Sequence, residues 1–347
     1  MILRLRKPGL GDLERLDRVA AHLNLRSGPE DDRFADDVIR AVLRRLAPIV
    51  AEAEATTGED IMVALAETLD VKFEAVRTPH DIVRVRDHYT RSERQLGFAQ
   101  LDDELADPQV DALLFQLTPR PDEDQTRYVA VLNLQRGSSR EFWNKGHELT
   151  HRIIEPPQKF LPFRRHPSER TSPIERLVDA VTAETAFYQP LFVPIVHRFD
   201  IAKVLTFGVV RSVRRLYAPT ASFLSVANAV VRHWCVPAML LTGECRGRRG
   251  APHIDIALRV EVHSRNKSAE TIGLNVFPNM RVPLSSPLFA AFHESREVSD
   301  AEDLGAWTTS TGQRLPGLPV HTSAVRLGNH AYAILTASDN APRVVEG

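Results

Sequence analysis

Residues 137–157 read GSSREFWNKGHELTHRIIEPP, and the fold of the surrounding chain turns on this stretch. Ser138, followed three residues later by Glu141, is a capping-box start, and Pro156 with Pro157 is a stop, so a helix is expected from about Ser139 to Ile154. Within it His147, Glu148 and His151 form H-E-x-x-H. Four helical positions advance about 400°, so the two imidazoles share one face a single turn apart and can bind one tetrahedral zinc together. Glu148 neighbours the first of them and can reach a water in the open position of such a site, the place of a general base.

A catalytic zinc of this kind needs a third protein ligand, usually a carboxylate from a separate helix. The next helix is expected over IERLVDAVTAETAFY, opened by Pro173 in its first turn. Glu175 stands at its start, 24 residues after His151, and Asp179 follows four residues later on the same face. Glu175 can bind zinc while Asp179 accepts a hydrogen bond from the distal nitrogen of a ligand histidine. Glu155, Glu169 and Glu184 are rivals for the third position. Glu155 sits against Pro156 at a helix end, Glu169 lies in a loop, and Glu184 is nine positions beyond Glu175 on a face about 180° away.

The segments REFWNKGHELTH and ERLVDAVTAETAF together resemble the ImmA/IrrE family of zinc metallopeptidases. Its pattern is an aromatic-led helix with H-E-x-x-H, then a helix reading roughly E-x-x-A-N-or-D-x-F-A-A. The resemblance puts Glu175 on the zinc-ligand glutamate, Val178 and Asp179 on the A-N-or-D pair, and Val181 to Ala183 on the apolar F-A-A. The sequence departs from the pattern at Gly146, where the family usually has alanine, and at TAFYQPLF, where L-L-M-P is expected. The resemblance implies one Zn2+ per chain and an α+β fold with a zincin-like, gluzincin-like metallopeptidase domain. IrrE-type radiation-response regulators add a helix-turn-helix-like linker and a C-terminal GAF-like sensor in that order. By that layout the chain would be a site-specific protease whose substrate is a helix-turn-helix repressor. Cleavage would release a stress, DNA-damage, mobile-element or phage-defence regulon.

Outward from the motif, the chain divides into a helical N-terminal extension (1–56), the peptidase domain (57–200), a basic helix-turn-helix-like region (201–250) and a GAF- or PAS-like α+β tail (251–347). Apolar residues at three- and four-residue spacing predict helices over Asp12 to Leu25 and Asp32 to Ala55. After a break at Gly58, a short helix runs into a strand near Val71 to Val76. The acidic tract from Leu101 to Asp124 reads as a surface excursion, and TRYVAVLNLQ as a mostly buried strand. Helical patterns follow in TFGVVRSVRRLY, ASFLSVANAVVRHW and VPAMLLTGE, with RGRRGAP as a linker. Beyond it, HIDIALRVEVHS, IGLNVFP and TSAVRLGNHAYAILTAS read as strands with one or two short helices such as PLFAAFHES. Trp307 and Tyr332 there are expected to be core residues more than ligand contacts.

The 347 residues, 43% hydrophobic and 26% charged, fit a folded protein of more than one domain. No apolar run approaches the roughly 20 residues of a bilayer span, and the start lacks the apolar stretch of a secretory signal. Only Cys235 and Cys245 are present, so the expectation is a reduced, cytoplasmic protein with Cys235 buried as a small hydrophobe. The net charge of −1 conceals two opposed blocks: eight acids against Arg120 alone over 101–124, and eight basic residues against Glu244 alone over 201–250. In the second block Arg211, Arg214, Arg215, Arg232, Arg246, Arg248 and Arg249 could contact DNA as a signal, dock a partner, or hold the acidic tract. ASFLSVANAVVRHW is too apolar to read base edges well. A regulator that binds DNA or senses a signal, using the peptidase fold as a scaffold with little or no proteolysis, is the alternative function. No motif fixes an oligomeric state.

Overall fold

The computed structural model describes residues 10–91, 96–107, 110–117, 128–135, 137, 140–156, 163–164, 172–200, 203–247, 255–309 and 312–337. The chain forms two compact units, Met1–Leu191 with Thr220–Ser222, and Phe192–Pro219 with Phe223–Gly347. Among the described residues no helix is long and apolar enough to cross a membrane.

In the N-terminal unit, α1 (Leu10–His22) and α2 (Phe34–Glu52) bury the stripes expected of them, Leu16 and Val19 in the first and Val38, Val42 and Leu46 in the second. Thr57 and Asp60 cap α3 (Gly58–Thr68) reciprocally. Next come β1 (Val71–Val76), α4 (Pro79–Arg91), a 3-10 turn at Leu96–Gln100, α5 (Leu101–Ala106), β2 (Ala112–Gln116) and β3 (Tyr128–Asn133). They precede α6 (Glu141–Ile154), β4 (Phe163–Arg164) and α7 (Pro173–Ala186). The sheet order is β1-β3-β2-β4, with β1 parallel to β3 and β2 antiparallel to both its neighbours. One face of this sheet, with Leu113, Phe115, Val129 and Val131, is closed by Val85 and Tyr89 of α4, Phe98, and Leu101 and Leu105 of α5. On the other face of β3 the guanidinium of Arg152 lies over the Tyr128 ring, 4.4 Å from its centroid, so α6 runs on that side.

The acidic tract is therefore no surface excursion where it is described. Leu101 and Leu105 are core residues of α5, and β2 is an interior strand. Of its described acids, Asp102 on α5 pairs with Arg86, and Asp111, just before β2, receives Arg140 Nη1 at 2.8 and 3.0 Å. Residues 118–127 lie outside the described set, as does Ser138, on which the expected capping box depends. Arg140 occupies the N-cap of α6 without a side-chain capping bond, while Glu141 pairs with Arg77 and Lys145.

α6 and α7 pack closely, and Gly146 records how closely. A Cβ there would come within 3.1 Å of Thr182 Cγ2 and 3.3 Å of Met62 Cε. The methionine end can yield, but Thr182 is fully buried and its hydroxyl donates to Thr150 Oγ1 at 3.0 Å. An alanine in an uncrowded helix gains up to about 1 kcal/mol over glycine, whereas overpacking costs typically about 1–3 kcal/mol. Gly146→Ala is therefore expected to destabilise the chain by about 1 kcal/mol. The check is a lower urea midpoint at unchanged m-value; a stabilised variant would mean that the two helices can separate without cost.

α8 (Gln189–His197) contains the division between the units. The C-terminal unit continues with α9 (Phe207–Tyr217), α10 (Phe223–His233), β5 (Ala238–Arg246), β6 (Ala257–Arg265), α11 (Lys267–Thr271), α12 (Pro287–Glu294), β7 (Val298–Asp303), β8 (Pro319–Leu327) and β9 (His330–Ala337). Its five-stranded sheet is antiparallel throughout, in the order β6-β5-β9-β8-β7. Met239, Leu241, Val260, Val320 and Leu335 on one face pack with Leu288 and Ala291 of α12 and with Trp307, which is core as expected. On the other face the chain entering α9 is tied to the sheet, Leu205 N donating to Thr336 Oγ1 and Phe207 N to Ser323 Oγ, both at 3.3 Å.

The apolar residues of α9 and α10 are packing residues: Phe207, Val210, Val213 and Tyr217 in one, Val226, Val230 and Val231 in the other. Three local expectations fail here. VPAMLLTGE is a strand, because a strand covered on both faces reads as a continuous apolar run that periodicity cannot separate from a helix. Within RGRRGAP, Arg246 ends β5 instead of starting a linker. IGLNVFP forms no ladder strand, although Leu274 and Val276 still enter the core. Cys235 is exposed, since Trp234 takes the buried place at the end of α10, and no disulfide joins it to Cys245.

Candidate metal centre

Amphipathic burial brings the ligands together. The face of α6 that carries His147 and His151 is buried, with both side chains at most 4% exposed. α7 starts at Pro173, with its fixed φ, and has Glu175 in the first turn, where the helix dipole favours an anion. Thr182 bonded to Thr150, which in turn donates to the Gly146 carbonyl at 2.8 Å, sets the rotation of one helix against the other.

The result is a convergence of three donors. His147 Nε2 and His151 Nε2 stand 3.1 Å apart, His147 Nε2 is 3.2 Å from Glu175 Oε2, and His151 Nε2 is 3.4 Å from Glu175 Oε1. Among the described residues these three form the one group of histidine, cysteine or acidic side chains placed to hold a metal ion, their ligand atoms lying within 4.8 Å of one another. Two ligands at about 2.0–2.1 Å from a tetrahedral zinc stand about 3.3 Å apart, close to all three separations. The outer nitrogens are also held: His147 Nδ1 lies 3.1 Å from Asp179 Oδ1 and His151 Nδ1 2.7 Å from Glu155 Oε2. A carboxylate at Nδ1 keeps the proton there and turns the Nε2 lone pair inward. Two such lone pairs and a carboxylate facing one point is a donor set that fits a divalent cation, and the buried His147, His151 and Glu175 fit an H-E-x-x-H-type metal site.

Electrostatics follow from that geometry. Burial works against a charged His151, but the carboxylates of Glu175 and Glu155 overcome it and raise its pKa to about 10. Burial likewise opposes charge on Glu175 and Glu155, yet both are lowered, Glu175 by the two histidines and Glu155 by His151 and Arg15. Zinc must displace the His151 proton, so its affinity is expected to rise about tenfold per pH unit below about pH 10. Stability of the chelated protein should run the other way. The His151 contribution is complete below its unfolded value of 6.5 and is lost as pH rises towards 10, and the Glu175 contribution is complete above 4.5 and is lost on acidification. Melting temperatures with and without chelator should therefore diverge as pH rises from 6.5; parallel curves would contradict this coupling.

Glu148, one position from His147, is 1% exposed. Asp179 stands where expected against His147. Glu155, a rival for the third position by sequence, instead holds the outer nitrogen of His151. Its i+4 spacing from His151 is the signal that could have assigned it. Arg15, which binds Glu155 at 2.9 Å from 140 residues away, has no sequence signal. Glu184 accepts from Gln189 at 3.3 Å, and Glu169 lies outside the described residues.

The described arginines of 201–250 are dispersed over three elements, α9, α10 and β5. Arg211 pairs with Glu297, Arg215 Nη2 reaches Ser212 Oγ at 3.5 Å in its own helix, and Arg246 Nη2 donates to the Val260 carbonyl at 3.0 Å. Arg214 and Arg232 occupy the last turns of α9 and α10, and Arg248 and Arg249 lie outside the described residues. In the same unit a cavity of about 130 Å³ is lined by Thr242, Arg246, Arg259, His263, His330 and Tyr332 among others.

No protein-family model matches the sequence, and no curated protein is similar to it. Among solved structures the chain is similar to a Mycobacterium tuberculosis transcriptional regulator, with a TM-score of 0.41 and 10% identity, over 94% of this chain and 81% of that one.

Proposed function

We propose that the chain is a zinc-dependent endopeptidase of the ImmA/IrrE type, cutting a helix-turn-helix repressor and so releasing the genes it controls. The convergence of His147, His151 and Glu175 at 3.1 to 3.4 Å, with a buried glutamate beside the first histidine, supports the peptidase part of this reading. The resemblance of the two motif helices supports the substrate class.

His147, His151 and Glu175 would hold the ion. Bound there, zinc would supply Lewis acidity to the scissile carbonyl and to water. Glu148 accepts a proton from the attacking water as the new C–O bond forms, and returns it to the amide nitrogen as the C–N bond breaks. Asp179 and Glu155 keep the Nδ1 protons in place, so neither imidazole turns away from the centre or competes for the proton Glu148 carries.

The test is co-expression with a small helix-turn-helix repressor, taken from the neighbouring reading frame where that frame encodes one. A truncated repressor that appears with the wild-type chain, and is missing with a chelator in the purified reaction, is the expected result. An intact repressor in the presence of zinc-loaded protein would reject this substrate.

A further inference from the structure

Helix α1 reaches both segments that carry the metal ligands. Asp12 and Arg15, three positions apart, share one face of the helix. Arg15 donates from Nε at 3.2 Å and Nη2 at 2.9 Å to Glu155 Oε1, while the other oxygen of that carboxylate holds His151 Nδ1 at 2.7 Å. Asp12 Oδ1 accepts from Ser172 Oγ at 3.1 Å, and Ser172 is the N-cap of α7, three residues before Glu175. Glu155 follows the last residue of α6. The helix thus pins the end of α6 and the start of α7. Leu16 and Val19, both fully buried, anchor it there.

Resting on the zinc reading above, we propose that α1 is a working part of the metal centre, with Arg15 and Asp12 as its positioning residues. Glu155 is 2% exposed at its side chain, and a carboxylate so buried is held in place by a positive charge and hydrogen-bond donors beside it. Arg15 supplies that charge from outside the peptidase helices. With it, Glu155 holds the His151 ring in one orientation and makes its Nε2 a better donor. Without it, the carboxylate loses the two hydrogen bonds that fix it, and the His151 ring is no longer held in one orientation. By linkage, metal affinity and the docking of α1 then depend on one another by the same factor.

The test measures zinc affinity of the full chain by competition with a chromophoric chelator, alongside far-UV circular dichroism. Arg15→Met is expected to weaken zinc about 10–100-fold, the range for loss of a group that orients a ligand, with Arg15→Lys recovering part of it. Asp12→Ala should weaken it less. Arg18→Met removes an exposed arginine of the same helix that bonds to the Glu14 carbonyl, and should leave affinity at the wild-type value. The visible spectrum of the cobalt-substituted protein should change with Arg15→Met and not with Arg18→Met. If Arg15→Met fails to fold, Glu155→Gln carries the same test, with about tenfold weaker zinc expected. Wild-type affinity in Arg15→Met or Glu155→Gln, or an equal loss in Arg18→Met, would overturn the proposal. A wild-type chain that takes up no zinc would reject the metal reading itself, and this inference with it.

Discussion

Glu148→Gln is expected to bind one zinc per chain as the wild type does and to cleave its substrate about 10²–10⁴-fold more slowly, the range that a positioned general base contributes. The substitution preserves shape and burial at a position that is 1% exposed, and it leaves His147, His151 and Glu175 themselves unchanged. What it removes is the capacity to take a proton. The two halves of the result must be measured on one preparation, bound metal by elemental analysis and cleavage by repressor truncation over time. Unchanged cleavage would remove Glu148 from the chemistry and with it the peptidase reading. Lost zinc together with lost cleavage would place Glu148 among the supports of the centre and leave the proton-transfer role to another group. In cells the same variant should leave the repressor intact, whereas a scaffold protein without turnover would behave alike with either residue.

Much of the centre is legible in the sequence because it is local. A helical repeat fixes His147 against His151 and Glu175 against Asp179, and two proline boundaries bracket the helices that carry them. What is not legible depends on contacts between distant segments. Arg15 and Glu155 meet across 140 residues, and nothing in the pattern around either names the other. Charge counting misleads in the same way. The acids of 101–124 suggest a solvated tract, but the structure spends Asp102 on Arg86 and Asp111 on Arg140, both within the N-terminal unit, and sends the apolar residues between them into the sheet. The basic block of 201–250 likewise includes Arg211 already paired with Glu297 and Arg246 bonded to a strand carbonyl. The pattern hides β5 for a physical reason too: burial on both faces erases the alternation that marks a strand.

Glu175→Ala is expected to weaken zinc about 10²–10³-fold, because a total of roughly 10–16 kcal/mol for a four-ligand zinc site divides to about 2.5–4 kcal/mol per ligand. Among the described residues Glu175 is the carboxylate grouped with both inner nitrogens, at 3.2 and 3.4 Å, so its removal also takes away the anion that draws a cation between two buried imidazoles. The same loss should be visible as stability. Free zinc at about a thousand times its dissociation constant stabilises the folded state by about 4 kcal/mol, which for a unit of 150–250 residues raises the melting temperature by about 8–16 °C. At that same zinc concentration Glu175→Ala should retain only about 0.4–1.4 kcal/mol of it, a rise of at most a few degrees. Glu184→Ala is the matched control on the same helix: its carboxylate accepts from Gln189, and both affinity and melting shift should stay at wild-type values. A full equivalent of zinc in Glu175→Ala, with an undiminished melting shift, would move the third ligand to another acid. Glu169 would then be the first to substitute, since Glu155 is already engaged by His151 and Arg15.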